Sequence, residues 1–182
     1  MRLIASYLTI PLALAASLPL TALAQNNEPA VSPVNVVVNS AVDGDITPDT
    51  SLTLREAIAL TNGTLSLADL SEAERSQVTP QNNHSLIAFD LPAGEMTVQL
   101  TSMLPPLTQA GTVMDGATQA GYGGEGPVVA IAPAPETQIL RGLTIAASDV
   151  TIRGLSLYGF TTAHDRPTEP TPPADIFITH AY

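Results

Sequence analysis

Three closely spaced aspartates, Asp43, Asp45 and Asp49, are the residues best placed to do chemistry. In the run Asp-Gly-Asp-Ile-Thr-Pro-Asp their carboxylates fall at positions 1, 3 and 7 of an EF-like loop. Calcium takes about six to eight hard oxygen ligands, and carboxylates at this spacing can supply several of them. They are therefore the candidate metal set, with calcium as the candidate ion. Two positions depart from the pattern. Pro48 stands where such a loop turns on glycine, and Leu54 stands where a bidentate Glu belongs, with Glu56 two residues too late. The competing reading is a solvated acidic turn.

A second set, Asp115, Asp149, Arg153 and Asp165, is what carbohydrate chemistry would use. A polysaccharide lyase needs a base near the sugar C5 proton and a cation beside the uronate carboxylate. A glycoside hydrolase needs two carboxylates at a defined separation. Asp115 precedes Gly116 and Asp149 follows Ser148, so both also fit ordinary turns. Arg55 and Glu56 lie in an apolar-faced helix, where a structural role explains them fully. His84, His164 and His180 are scattered and have no metal-ligand spacing. Gly121 to Gly126 lacks a phosphate-binding pattern and reads as a turn. Asn62-Gly63-Thr64 and Asn83-His84-Ser85 match the glycosylation sequon, which matters only in a eukaryotic secretory host. No residue is assigned a catalytic or cofactor-binding role on this reading.

Charge narrows the partners. The 182 residues carry 17 acidic side chains against 6 basic ones, all of them Arg, for a net charge of −11. Nucleic acid and anionic membranes are disfavoured, because both call for a basic surface. An acidic uronate polymer would be repelled unless calcium bridged it. There is no Cys, so disulfides and thiolate metal sites are excluded. Sixteen Pro and twelve Gly imply many turns and little room for long helices.

The elements that must position these residues follow an N-terminal leader. Arg2 precedes an apolar run, and Ala22-Leu23-Ala24 forms a cleavage signal before Gln25. Residues 1–24 thus read as a secretory signal peptide, and the chain is expected to be secreted or at the cell surface. Cleavage would leave a net charge of −12. Residues 25–33 read as a linker. Residues 34–94 read as an N-terminal cap: a strand from Val34 to Val38, the acidic loop, a helix from Leu54 to Leu60, a second helix from Leu67 to Val78 stopped by Thr79-Pro80, and a strand from Leu86 to Phe89. Asn62-Gly63 suits the first helix's C-terminus, and Ser71 with Glu74 forms a capping box. Residues 95–182 read as short strands joined by sharp corners, interrupted by a Pro-rich loop at 161–173.

Within Ile139 to Phe160 an apolar-polar-apolar triplet occurs three times: Leu143-Thr144-Ile145, Val150-Thr151-Ile152 and Leu155-Ser156-Leu157. Such strands are too short for hairpin arms. They are expected to form one wall of a coil whose turns stack in parallel, with their apolar residues inward. At roughly 20 to 25 residues per turn, residues 95–182 supply about three or four turns. The expected fold is all-β, a right-handed parallel β-helix (solenoid) with a short helical cap and an uncapped C-terminal end.

Three segments carry a family resemblance. Ser51 to Ile58 (SLTLREAI) is similar to the CSLREA-type motif near the start of many exported bacterial β-helix surface proteins. Val113 to Tyr122 (VMDGATQAGY) resembles their downstream V-x-DGTTQPGY signature, and Gly142 to Leu155 resembles their repeated rungs. The resemblance spans about residues 35 to 160. Leu52 replaces the motif's Cys and Ala120 its Pro. It implies a pectin-lyase-like parallel β-helix at the cell surface, and no single activity.

The function expected from these readings is a structural or adhesive exported surface protein, the N-terminal part of a longer product. It would meet extracellular polysaccharide or surface proteins, or associate through the open C-terminal edge. The alternatives are a carbohydrate-active enzyme with catalytic rungs beyond Tyr182 and a calcium-binding surface module.

Overall fold

A computed structural model describes residues 31–161 and 173–179. The expected signal peptide, most of the linker, most of the Pro-rich loop, His164, Asp165 and His180 lie outside the described residues. Among the described residues no helix is long and apolar enough to cross a membrane.

Alternating valines start the first strand, β1 (Val34–Val38), with Val36 and Val38 buried. The loop after it leads to α1 (Leu54–Thr61). Thr53 caps this helix: its hydroxyl accepts from the Glu56 amide, and Glu56 reaches back to the Thr53 amide. Asn62 closes it in a right-handed conformation, and Gly63 supplies the left-handed turn at φ 72°.

The stretch from Leu67 to Val78 departs from the single helix expected. It holds a 3₁₀ turn (Leu67–Asp69), a four-residue helix α2 (Glu72–Arg75) and a strand β2 (Val78–Pro80). Ser66 and Ser71 each start a new capping box, so the backbone restarts twice where one continuous helix was expected. β2 pairs antiparallel with β1 in the register Val36↔Val78. A proline fits at Pro80 because β2 is an edge strand.

The remaining strands are β3 (Leu86–Phe89), β4 (Thr97–Leu100), β5 (Val113–Asp115), β6 (Val129–Pro133), β7 (Arg141–Ile145), β8 (Thr151–Arg153), β9 (Leu155–Leu157) and β10 (Ala174–Ile178). They form three sheets with the orders β2-β1-β3-β5-β8, β4-β6-β9 and β10-β7. Every pairing but that of β1 with β2 is parallel.

The result is a strand-rich, mixed α/β domain, which corrects the expected all-β right-handed parallel β-helix. Three observations overturn that reading. The five-stranded sheet is mixed, not purely parallel. α1 is no separate cap, since Leu54, Ala57, Ile58 and Leu60 lie in the same hydrophobic cluster as the strands. Partner strands also lack a constant repeat: the step along the chain from Asn35 to its partner Leu86 is far longer than the step from Val129 to Leu155. Nor do the three triplets build one wall. β7, β8 and β9 each belong to a different sheet.

Apolar residues stack in files across the sheets, because parallel register places like positions side by side. Val36, Ile87 and Met114 form one fully buried file, and Val98 with Ile131 another. The triplets split by position. Leu143 and Ile145 are buried, whereas Val150, Ile152, Leu155 and Leu157 are only partly covered.

Candidate functional site

The acidic loop is held by one residue of α1. Arg55 clamps Asp43 with two parallel bonds, Nε to Oδ1 and Nη2 to Oδ2, both 2.8 Å. Nη1 donates to the Met103 carbonyl at 2.9 Å, and Nη2 is shared with the Ser102 carbonyl at 3.1 Å and the Ser102 hydroxyl at 2.9 Å. Asp43 Oδ2 also accepts from the Thr101 amide and hydroxyl. The Asp43 side chain is 1% exposed and that of Arg55 12%. A planar fork suits this task, because it satisfies both carboxylate oxygens and still reaches the chain after β4. Burial pushes the Asp43 carboxyl up, but the bonds from Arg55 and Thr101, together with the Arg55 charge, outweigh it and hold the group below its ordinary value.

This arrangement scatters the candidate calcium set. Asp43 faces Arg55, and Asp45 is exposed. Asp49 accepts from the Ser51 amide at 2.7 Å, while its own amide donates to Glu74 Oε1 at 3.2 Å. Among the described residues no group of three His, Cys, Asp or Glu side chains is placed to hold a metal ion. Beside Asp43 lies an open cleft of about 530 Å³, lined in part by Val42, Glu95, Met96, Thr97 and Gln99. The Asp43 carboxylate, the acid that borders it from the loop, is already spent on Arg55.

Two buried glutamates share an acidic environment that spacing alone left unread. Glu56 and Glu74 are buried, at 2% and 0% exposure, and each closes a capping box at the start of its helix. Glu74 Oε2 accepts from the Ser71 amide at 2.6 Å. Burial pushes the Glu56 carboxyl up, and the charges of Glu74 and Asp49 add to the rise against the opposing bonds from Thr53. The Thr53-x-x-Glu56 spacing was a readable signal for half of this pair. The approach of Glu74 was not readable, because it depends on how α2 folds back.

Of the carbohydrate set, the fold joins two members. Asp115 lies directly opposite Arg153 in the β5–β8 register, and their side chains form an ion pair. The other Asp115 oxygen accepts from the Ala117 amide at 3.0 Å and caps a short 3₁₀ turn (Gly116–Thr118). The Arg153 bond leads in holding the Asp115 carboxyl below its ordinary value, against burial, and the Ala117 amide helps. Asp149 sits at an exposed corner with φ 58°. His84 is exposed, as is the whole of 121–126. Asn62 ties α1 to the chain after β4: its amide donates to the Pro106 carbonyl at 2.7 Å and its oxygen accepts from the Thr108 amide at 3.0 Å.

The Asp115-Gly-Ala-Thr-Gln119 run has a concrete task. Thr118 Oγ1 accepts from the Phe89 amide at 2.7 Å. Gln119, 3% exposed, accepts from the Leu91 amide at 2.7 Å and donates to the Leu91 carbonyl at 3.1 Å. Side chains thus continue the backbone ladder past the end of β3. Gly116 is required by close packing: a Cβ there would stand 2.2 Å from the Gly154 carbonyl oxygen. Gly154 itself adopts φ 66°. What such an arrangement does chemically is to lock one strand connection against the next. No family model, curated protein or solved structure matches the chain, so the reading of its function rests on this geometry alone.

Proposed function

We propose that the chain is an exported, non-catalytic structural module that works by presenting and joining surfaces. The observation that supports this reading is the fate of its buried carboxylates. Asp43, Glu56, Glu74 and Asp115 are the buried acids among the described residues, and each is bonded to a structural partner. A general acid or base must keep a lone pair or proton free for substrate. These four use theirs to cap helices or to clamp arginines. The acidic surface and the leader-like residues 1–24 support a location outside the cytoplasm.

The test is direct. The purified chain is incubated with polygalacturonate and with neutral glucans, with and without calcium, and new reducing ends and unsaturated uronates are followed. No cleavage above buffer is expected, and Asp115→Ala should change only the melting temperature. Cleavage that disappears in Asp115→Ala or Asp149→Ala would overturn the proposal.

A further inference from the structure

Aspartate or asparagine precedes glycine at three places: Asp43-Gly44, Asn62-Gly63 and Asp115-Gly116. Such pairs can cyclise, because glycine has no Cβ to shield its backbone nitrogen from the preceding side chain. An aspartate does so only as the neutral acid, which loses water. Asp43 and Asp115 are each held as carboxylates beside an arginine. Asn62 needs no such proton, since a carboxamide loses ammonia. The fold also forces its glycine. Gly63 adopts φ 72°, and a Cβ there would stand 2.6 Å from Val31 Cγ2. The left-handed turn that ends α1 thus demands the residue that opens Asn62 to attack.

We propose that Asn62 is a self-modification site: opening of the C-terminal end of α1 lets the Gly63 nitrogen convert it to aspartate and isoaspartate. The Gly63 amide gives its proton to solvent base, and its nitrogen attacks Asn62 Cγ. The N–Cγ bond forms, the Cγ–Nδ2 bond breaks, and ammonia leaves. Water then opens the succinimide ring at the Cγ carbonyl, giving aspartate, or at the Asn62 main-chain carbonyl, giving isoaspartate. Water enters, ammonia departs, and nothing is oxidised or reduced.

The closed fold holds both reacting groups apart. Asn62 keeps the helical conformation, at φ −76° and ψ −12°, and the Gly63 amide donates to the Leu60 carbonyl at 3.0 Å. The leaving nitrogen, Nδ2, donates to the Pro106 carbonyl at 2.7 Å, and Oδ1 accepts from the Thr108 amide at 3.0 Å. The attacking nitrogen is therefore held by the helix, and the carbon it must reach is held by the chain after β4. The two side-chain bonds lie at exposed positions of a helix end, where local opening costs least. The reaction then destroys its own restraint. Aspartate sets an oxygen against the Pro106 carbonyl where a donor stood, and isoaspartate adds a methylene to the backbone at the end of α1. Opening is thereby recorded irreversibly as a loosened tie between α1 and the chain after β4.

The purified chain is incubated at mildly alkaline pH, folded and in urea, beside a synthetic peptide of residues 56–75. Cleavage at arginine releases the same Glu56–Arg75 segment from the chain, and its mass reports the exchange of NH2 for OH. The peptide and the unfolded chain should react alike, and the folded chain on the order of 10-fold more slowly at least, because it reacts only through local opening. Asn62→Asp installs one product directly and should melt below the wild type, with faster amide exchange at the end of α1. Equal rates in the folded and unfolded chain overturn the proposal. So does an unfolded chain that reacts first at another asparagine, or an Asn62→Asp chain as stable as the wild type. None of these outcomes touches the structural-module reading, which falls only to Asp115- or Asp149-dependent glycan cleavage.

Discussion

The two limits of the sheets are built from similar sequence and end in opposite conditions. Val34 to Val38 and the triplets of β8 and β9 share the same alternation. At the β1 limit, β2 takes the free edge, α1 packs against the strand, and Val36 and Val38 are fully buried. At the β8–β10 limit the inward positions remain partly or largely exposed. Alternation decides which side of a strand is apolar. Whether that side is covered depends on what arrives from elsewhere in the chain or from another molecule.

The contrast extends to the two ion pairs. Asp43 and Arg55 are both shielded, whereas Asp115 is shielded and Arg153 is 65% exposed. Arg55→Ala should give the largest effect, a loss of about 3–5 kcal/mol in denaturant unfolding, because it strands a buried carboxylate. A loss no greater than that of an ordinary surface substitution would break the distinction between the two limits. Gly116→Ala comes next, at about 3 kcal/mol, since its Cβ would press on backbone that cannot step aside. A cost close to zero would show that the β5–β8 corner can relax.

A pH experiment sharpens the comparison within the covered end. Asp43 has its pKa lowered by folding, so its contribution is present above the ordinary aspartate range and is lost as pH falls through the lowered value. Glu56 has its pKa raised, so its contribution is complete in acid and is lost as pH rises through the raised value. Glu56→Gln keeps the capping acceptor and removes the charge. Its melting temperature should gain on the wild type as pH rises from acid to neutral, and a constant difference would refute the assignment. The smallest fall in melting temperature, well short of that for Gly116→Ala, is expected for Arg153→Ala, because its guanidinium is solvated and the shielded Asp115 keeps the Ala117 amide as a donor.

Local sequence carried much of the secondary structure. The strand at Val34–Val38, the helix from Leu54, the strand at Leu86–Phe89 and the triplets at Leu143–Ile145 and Leu155–Leu157 lie where alternation and helical spacing place them, while the middle triplet is shifted by one residue, to Thr151–Arg153. Val78–Pro80 could not be read this way, because its strand character comes from pairing with β1, on the far side of the acidic loop and both helices. The fold class failed for a related reason. Short alternating segments predict strands, but the order in which they pair, the antiparallel edge and the inclusion of α1 in the core are long-range facts. The aspartate loop is divided for an electrostatic reason: Arg55 is far better matched to one carboxylate than three carboxylates are to each other. The sequence showed Asp43 and Arg55 separately, with nothing local to link them.

The side-chain ladder from Gln119 to Leu91 has a consequence in time. Its partners are 28 residues apart, and both Leu91 backbone groups depend on it. On a ribosome making about 5–20 residues per second, Leu91 emerges roughly one to six seconds before the residue that completes it. The parallel strands wait in the same way, since every parallel pairing skips at least one strand that lies between the partners in the chain. Hardly any of this domain can consolidate from its own neighbourhood, so it should fold late and slowly, with its apolar segments open to chaperones until the later strands are made.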